Sequence, residues 1–263
     1  MSSAASKKAP LMAHLLELKR RVLWAMLAWL AGIAVCFFFA PEIYRVLVLP
    51  LAEAFGNDTG RRMIYTGLTE TFMVYFKIAL YAGFALAFPI IAAQLYLFLA
   101  PGLYKHEKRV FVPYLLGAPM LFAAGASLAY FFVMPLAWKF FLSFEQLPAD
   151  SAVPLMLEAR ISEYISLVVQ FMMAFGIAFQ LPILMTLLVR AGMIKTATLA
   201  RKRRLAVVIL LVAAAILTPP DILSQLLLFL PLYLLYECSL LVCANIEKKH
   251  SAAQEWAHEH ARH

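Results

Sequence analysis

At 263 residues, 64% hydrophobic and only 14% charged, with a mean hydropathy of +0.81, this chain is too apolar for a soluble domain, which runs nearer half apolar and a quarter charged. Its net charge of +8 comes from basic residues clustered in particular loops, a pattern of membrane orientation rather than of nucleic-acid binding. Cys36, Cys238 and Cys243 all lie in apolar segments and supply neither a disulfide framework nor metal-ligand spacing.

The N-terminus is basic and runs into the uncharged stretch Val22–Pro41. That stretch is long enough to span a bilayer and no convincing small-residue cleavage site follows it, so it reads as a retained first helix. Further uncharged runs are Ile78–Tyr104, Val110–Trp138, Tyr164–Val189, Leu205–Pro220 and Ile222–Tyr236, the last resuming after Glu237 through Cys238–Ile246. A hydrocarbon core about 30 Å thick takes roughly 20 helical residues. The expectation is therefore an all-α integral membrane protein with six transmembrane helices, near 22–41, 76–100, 110–138, 164–189, 205–219 and 222–246. They form one membrane domain over 1–246, followed by a polar, disordered cytoplasmic tail over 247–263. The fifth run reaches only about 24 Å at 1.5 Å per residue, so helices five and six are expected to be short and to thin the bilayer locally.

Counted loop by loop, 17 Lys and Arg fall on the side of both termini, the 105–109 turn and the 190–204 loop. Five fall on the other side: Arg45, Arg61, Arg62, Lys139 and Arg160, with Lys77 set aside at a helix end. Both termini are expected in the cytoplasm. The outer loops, 42–69 and 139–163, hold Pro41, Pro50, Pro148 and Pro154 and read as structured turns rather than a separate domain. Pro89, Pro113, Pro119, Pro135, Pro182 and Pro231 lie inside the apolar runs. Each removes a helical hydrogen bond, which favours bent helices and a concave bundle. The absence of an evident internal repeat weighs against a transporter built from inverted halves. The tail histidines are held by nothing that would fix a metal site.

The spans hold no nucleophile–base pair, no HExxH and no phosphate-binding glycine loop. Isolated ionisable groups in membranes are costly and usually functional, and none stands at mid-bilayer. The chain is expected to be no enzyme and to need no cofactor. Two acids stand out instead on the basic face: Glu17 in His14-Leu-Leu-Glu-Leu-Lys-Arg-Arg21, and Glu107 in Phe98-Leu-Ala-Pro-Gly-Leu-Tyr-Lys-His-Glu-Lys-Arg109. Topology requires cations there, not carboxylates. An ordinary helical pair of Glu17 with Arg21, or charge neutralisation around Glu107, would account for each acid singly. Together they fit a site for a cationic ligand.

These two segments, then Phe175-Gly-Ile-Ala-Phe-Gln-Leu-Pro182 and Leu217-Thr-Pro-Pro-Asp-Ile-Leu-Ser-Gln225, occur in an order that resembles TatC, the multi-spanning subunit of the twin-arginine protein translocase. The resemblance covers all but the extreme N-terminus and the tail. It implies a receptor in the bacterial inner membrane that binds the twin-arginine signal peptides of folded proteins. It further implies assembly with TatA- and TatB-type single-span proteins into an oligomeric complex driven by the proton gradient. By that resemblance Glu17 and Glu107 contact the arginines, with Lys19, Phe98 and Tyr104 belonging to the same site. Lys19 stands where the family commonly has arginine. Thr218 and Gln225 are placed at the contact with partner helices, and Pro50 and Asp221 are structural. Gln180 replaces a usual glutamate, so any protonation step there is lost and a hydrogen-bonding amide remains. Alternatives from other classes are a secondary transporter of a small solute using a concave intramembrane cavity, and an assembly scaffold without a ligand.

Overall fold

The computed structural model describes residues 3–56, 61–99, 108–145, 157–190, 192–217 and 222–260. Their order is α1 (Ser3–Phe38), α2 (Ala40–Phe55), α3 (Glu70–Leu99), α4 (Lys108–Leu128), α5 (Met134–Leu142), α6 (Ile161–Ala178), α7 (Leu181–Arg190), α8 (Thr196–Arg201), α9 (Arg203–Leu217) and α10 (Ile222–His260). A π-helical turn, Ala129–Val133, joins α4 to α5. The described residues contain no β-strand beyond one isolated parallel bridge, Ile64 to Arg160. The all-α membrane architecture is therefore as expected.

Five stretches are long and apolar enough to cross a membrane: Leu15–Phe38, Glu70–Phe98, Tyr114–Leu142, Ile161–Arg190 and Gln225–Lys248. The remaining expected span, the fifth in chain order, is α9, whose 15 residues rise only about 22 Å, so the fifth helix is short. The sixth is not. α10 passes straight through Glu237, because that carboxylate accepts from Arg203 Nη2 at 2.9 Å and from the Tyr233 hydroxyl at 3.0 Å. The helix expected over 222–246 already included Glu237, and the fold supplies the partners of its charge. α10 also continues to His260, where a disordered tail was expected. The segment after Ile246 has no glycine or proline and is rich in alanine and glutamate, which sustains a helix already nucleated upstream. In the outer segment 42–69, α2 replaces the expected run of turns, with Pro50 buried inside it.

Two prolines mark where a span changes course. Pro135 lacks the N–H that the carbonyl four residues earlier needs, and the π turn Ala129–Val133 directly precedes it. Pro182 likewise follows the break at Phe179–Gln180 that separates α6 from α7.

The chain divides into two compact units. The first contains Met1–Val48, Ile64–Pro119 and Arg160–Ile165, and its centre is the packing of α1 on α3. Gly32 and Gly83 bring the two backbones together: a Cβ at Gly32 would lie 2.5 Å from the Gly83 carbonyl oxygen. Trp29 donates its indole N–H to the Leu80 carbonyl at 3.0 Å and meets Phe84 edge-on at 5.9 Å. Small residues at such a crossing let apolar helices approach closely, as lipid-embedded helices require.

The second unit contains Leu49–Met63, Met120–Ala159 and Ser166–His263. In it Met185 and Val189 of α7 pack with Tyr236, Leu240 and Cys243 of α10, flanked by Leu199, Ala206 and Leu210. Polar ties finish this corner: Tyr236 Oη donates to the Leu199 carbonyl at 2.9 Å, and Glu247 accepts from the Thr196 amide at 3.1 Å. Gly125 abuts the Phe175 backbone and Gly176 the Phe122 ring, so α4 and α6 also approach through glycine.

Candidate functional site

Glu17 lies on α1 in the first turn of the span Leu15–Phe38, where α1 still carries charged residues. Arg21 reaches back to it from the next turn, with Nε at 3.0 Å and Nη2 at 2.5 Å, both to Oε1. Among the described residues Oε2 of Glu17 accepts nothing. The carboxylate side chain is 35% exposed, so the helical pair forms as sequence spacing allows, yet leaves one oxygen open to a further donor.

Glu17 lines a groove of about 300 Å³ together with Arg20, Arg21, Trp24 and Gln94. A second groove of about 260 Å³ adjoins it, lined by apolar side chains that include Val22, Met26, Trp29, Ile91 and Phe98, together with Arg21 and Gln94. Both grooves lie between α1 and α3 inside the first unit. Phe98 lines the second groove and Glu17 the first. Lys19 is exposed on α1 and lines neither groove. Tyr104, Glu107, Thr218 and Asp221 lie outside the described residues.

The remaining named positions are elsewhere. Gln180 occupies the α6–α7 break; its backbone N–H donates to the Ile177 carbonyl at 2.9 Å and its Nε2 to the Gly176 carbonyl at 3.4 Å. Gln225 Nε2 donates to the Leu211 carbonyl at 3.2 Å, which ties the start of α10 to α9.

Trp24, Gln94 and Trp29 escaped the sequence reading. Gln94 was the legible one, a lone amide within an otherwise apolar run. Also unforeseen were two ion-pair networks around Arg160 and Arg61, which the sequence reading had used only for topology. In the first unit Glu70 accepts from Arg160 Nε at 3.0 Å, Arg160 Nη2 at 3.2 Å and the amides of Thr66, Gly67 and Ser162 at 2.9, 3.2 and 3.3 Å. That hydrogen-bonded carboxylate raises the pKa of the Arg160 guanidinium. In the second unit Glu145 takes both Arg61 Nη atoms, at 3.2 and 2.9 Å, and the Leu157 amide at 2.9 Å. The signal available was positional: Glu70 and Arg160 each immediately precede an apolar run.

The family profile described as Sec-independent protein translocase protein (TatC) matches residues 13–231. The chain belongs to the TatC family. It is 51% identical over 234 residues to the Sec-independent protein translocase protein TatC of Rickettsia prowazekii, covering 89% of this chain and 92% of the relative. It is 35% identical over 228 residues to that of Escherichia coli K12, covering 87% and 85%. A solved twin-arginine translocase receptor TatC superimposes with a TM-score of 0.78 at 39% identity, covering 89% of this chain and 99% of that structure. TatC membership makes this a multi-pass protein of the inner membrane belonging to a Sec-independent translocase, and it displaces the small-solute transporter reading.

Proposed function

We propose that the chain is the signal-peptide receptor of a twin-arginine translocase, acting without catalysis of its own. Glu17 and Glu107 form a two-carboxylate clamp for the paired arginines at the cytoplasmic face. TatB- and TatA-type single-span helices then gather on the polar outer end of the last two helices, where Thr218 and Gln225 offer hydrogen-bonding groups. Transport of folded cargo is powered by the proton gradient.

The observation that carries this reading is Oε2 of Glu17, which accepts nothing among the described residues while Oε1 takes both bonds from Arg21. Arg21 orients the carboxylate through Oε1, and Glu17 lines the polar groove with Arg20, Arg21, Trp24 and Gln94. An incoming guanidinium brings a planar fork of donors that complements such an oxygen better than an ammonium does. Trp24 offers a neighbouring aromatic face for the cation.

The test is photo-crosslinking in membranes containing the intact protein, with the reactive group beside Glu17 or Glu107 and signal peptides carrying Arg-Arg or Lys-Lys. Labelling that strongly favours Arg-Arg supports the clamp. Equal labelling by the two peptides overturns it.

A further inference from the structure

We infer that a groove between α10 and the α4–α5 span is a binding site for an anionic phospholipid. The groove takes an acyl chain, and the cations at the start of α9 take the phosphate. The site lies wholly within the second unit and stands or falls apart from the receptor reading above.

The groove holds about 600 Å³, several times the cavity of about 150 Å³ that admits benzene. One wall is Leu128, Phe132 and Leu136, carried by α4, the π turn and α5; the other is Leu227, Leu230 and Leu234 on α10. Phe132, Leu136, Leu230 and Leu234 are all exposed. The apolar walls end at Tyr233 and at Glu237, the one charged residue among the described residues of the lining. From Leu227 to Glu237 is ten residues of helix, or about 15 Å. That is half of a hydrocarbon core about 30 Å thick, so the groove is one leaflet deep.

Glu237 ties the polar end of the groove to the start of α9, since Arg203 Nε and Nη2 both reach it at 2.9 Å. Arg201, Lys202, Arg203 and Arg204 are consecutive and exposed, four cations against one carboxylate. Apolar residues follow at once: Leu205, Val208 and Ile209 are exposed too, so α9 offers lipid-facing surface right up to its charges. With 15 residues, α9 falls about 8 Å short of crossing the hydrocarbon core. Its cations therefore stand where the bilayer must yield, and a phosphate drawn in meets them far better than hydrocarbon does. On the orientation expected from the Lys and Arg count this is the cytoplasmic leaflet, whose anionic headgroups are attracted to basic clusters of this kind. A partner helix is the rival occupant. A helix 15 Å long and about 10 Å across takes on the order of 1,200 Å³, twice what the groove holds, and it brings no phosphate.

The experiment reconstitutes the full chain in mixed phosphatidylcholine and phosphatidylglycerol vesicles with a trace of a probe lipid carrying a photo-reactive acyl chain. The probe is phosphatidylglycerol in one arm and phosphatidylcholine in the other, and the labelled segments are mapped by proteolysis and mass spectrometry. Leu30 and Val35, exposed on α1, give the reference, since both probes should reach that face alike. Normalised to it, phosphatidylglycerol should label 128–136 and 227–237 at least about fivefold more than phosphatidylcholine, the attraction that one Lys or Arg near the surface contributes. Leu230→Trp, which fills the groove from an exposed position, should remove the preference from both walls. The double variant Arg201→Gln and Arg204→Gln spares the Arg203–Glu237 pair and should lower the preference toward one.

Equal normalised labelling by the two probes overturns the site and leaves the groove to bulk lipid. Labelling of α1 with none on either groove wall also overturns it, because something other than lipid then fills the groove. A preference that survives Leu230→Trp, or that survives loss of the two arginines, overturns the pairing of groove and cations on which the site depends. Should either variant fail to insert, the wild-type comparison decides by itself.

Discussion

Gly32 and Gly83 meet backbone to backbone where α1 crosses α3, and neither has room for a side chain. A Cβ on Gly83 would sit 2.6 Å from the Ile33 amide nitrogen, and one on Gly32 would sit 2.5 Å from the Gly83 carbonyl oxygen. Backbone cannot swing aside as a side-chain tip can. Gly83→Val is therefore expected to destabilise the protein by about 1–3 kcal/mol or more, the usual cost of overpacking. Gly67→Ala is the control, since its Cβ would find only the Glu70 side chain, at 3.7 Å. Thermal unfolding in detergent compares them, and equal midpoints would dismiss the close-contact account.

The Glu70 carboxylate collects donors from three places in the chain: Thr66 and Gly67 beside it, Arg160, and Ser162 at the start of α6. Removing the acceptor strands all of these donors, whereas removing the guanidinium strands only one carboxylate that retains its amide contacts. Glu70→Ala should therefore lower the unfolding midpoint more than Arg160→Ala, with Glu70→Gln between them. Proteolysis around residues 61–69 provides a second readout. If Arg160→Ala proves the more damaging, the amide contacts do not matter as described.

Legibility in the sequence followed chemistry that repeats along the chain. Long apolar runs announced α3, α6 and α10, because a bilayer admits little else. The Glu17–Arg21 spacing announced its helical pair. Pairing between distant positions was hidden: Glu70 meets Arg160 across 90 positions, and each taken alone is an ordinary loop charge. Glu237 is a second case: its partner Arg203 lies 34 positions away, so the sequence reading ran a helix through this acid without being able to name what satisfies it. The polar groove was half legible, since Glu17 could be named from its setting but Gln94, which comes from α3, could not be assigned to it.

Glu17→Gln keeps the size of the side chain and removes its charge. A hydrogen bond to a charged group contributes about 1.5–3 kcal/mol, so affinity for an Arg-Arg signal peptide should fall at least about tenfold. A Lys-Lys peptide should lose less, and the two affinities should converge. Raising the salt concentration should narrow the same difference in the wild-type protein, because the site is partly exposed and therefore screened. Binding measured by fluorescence anisotropy at two salt concentrations checks both. A Glu17→Gln protein that keeps full arginine preference would remove Glu17 from the clamp.

Gln180 separates hydrogen bonding from proton exchange at the α6–α7 break. Its backbone N–H and its side-chain amide both reach carbonyls of the preceding turn, at Ile177 and Gly176, carbonyls that the interruption before Pro182 leaves in need of donors. Glutamine cannot ionise, so export by this protein cannot depend on titration at that position. Gln180→Leu should impair export by withdrawing the amide, whereas Gln180→Glu should sustain it wherever the acid is protonated and can still donate. Cargo appearing outside the inner membrane is the measure, with protein levels checked for each variant. Normal export by the leucine form would show that the break needs no polar side chain, and Gln180 would then be a tolerated substitution without a role in transport.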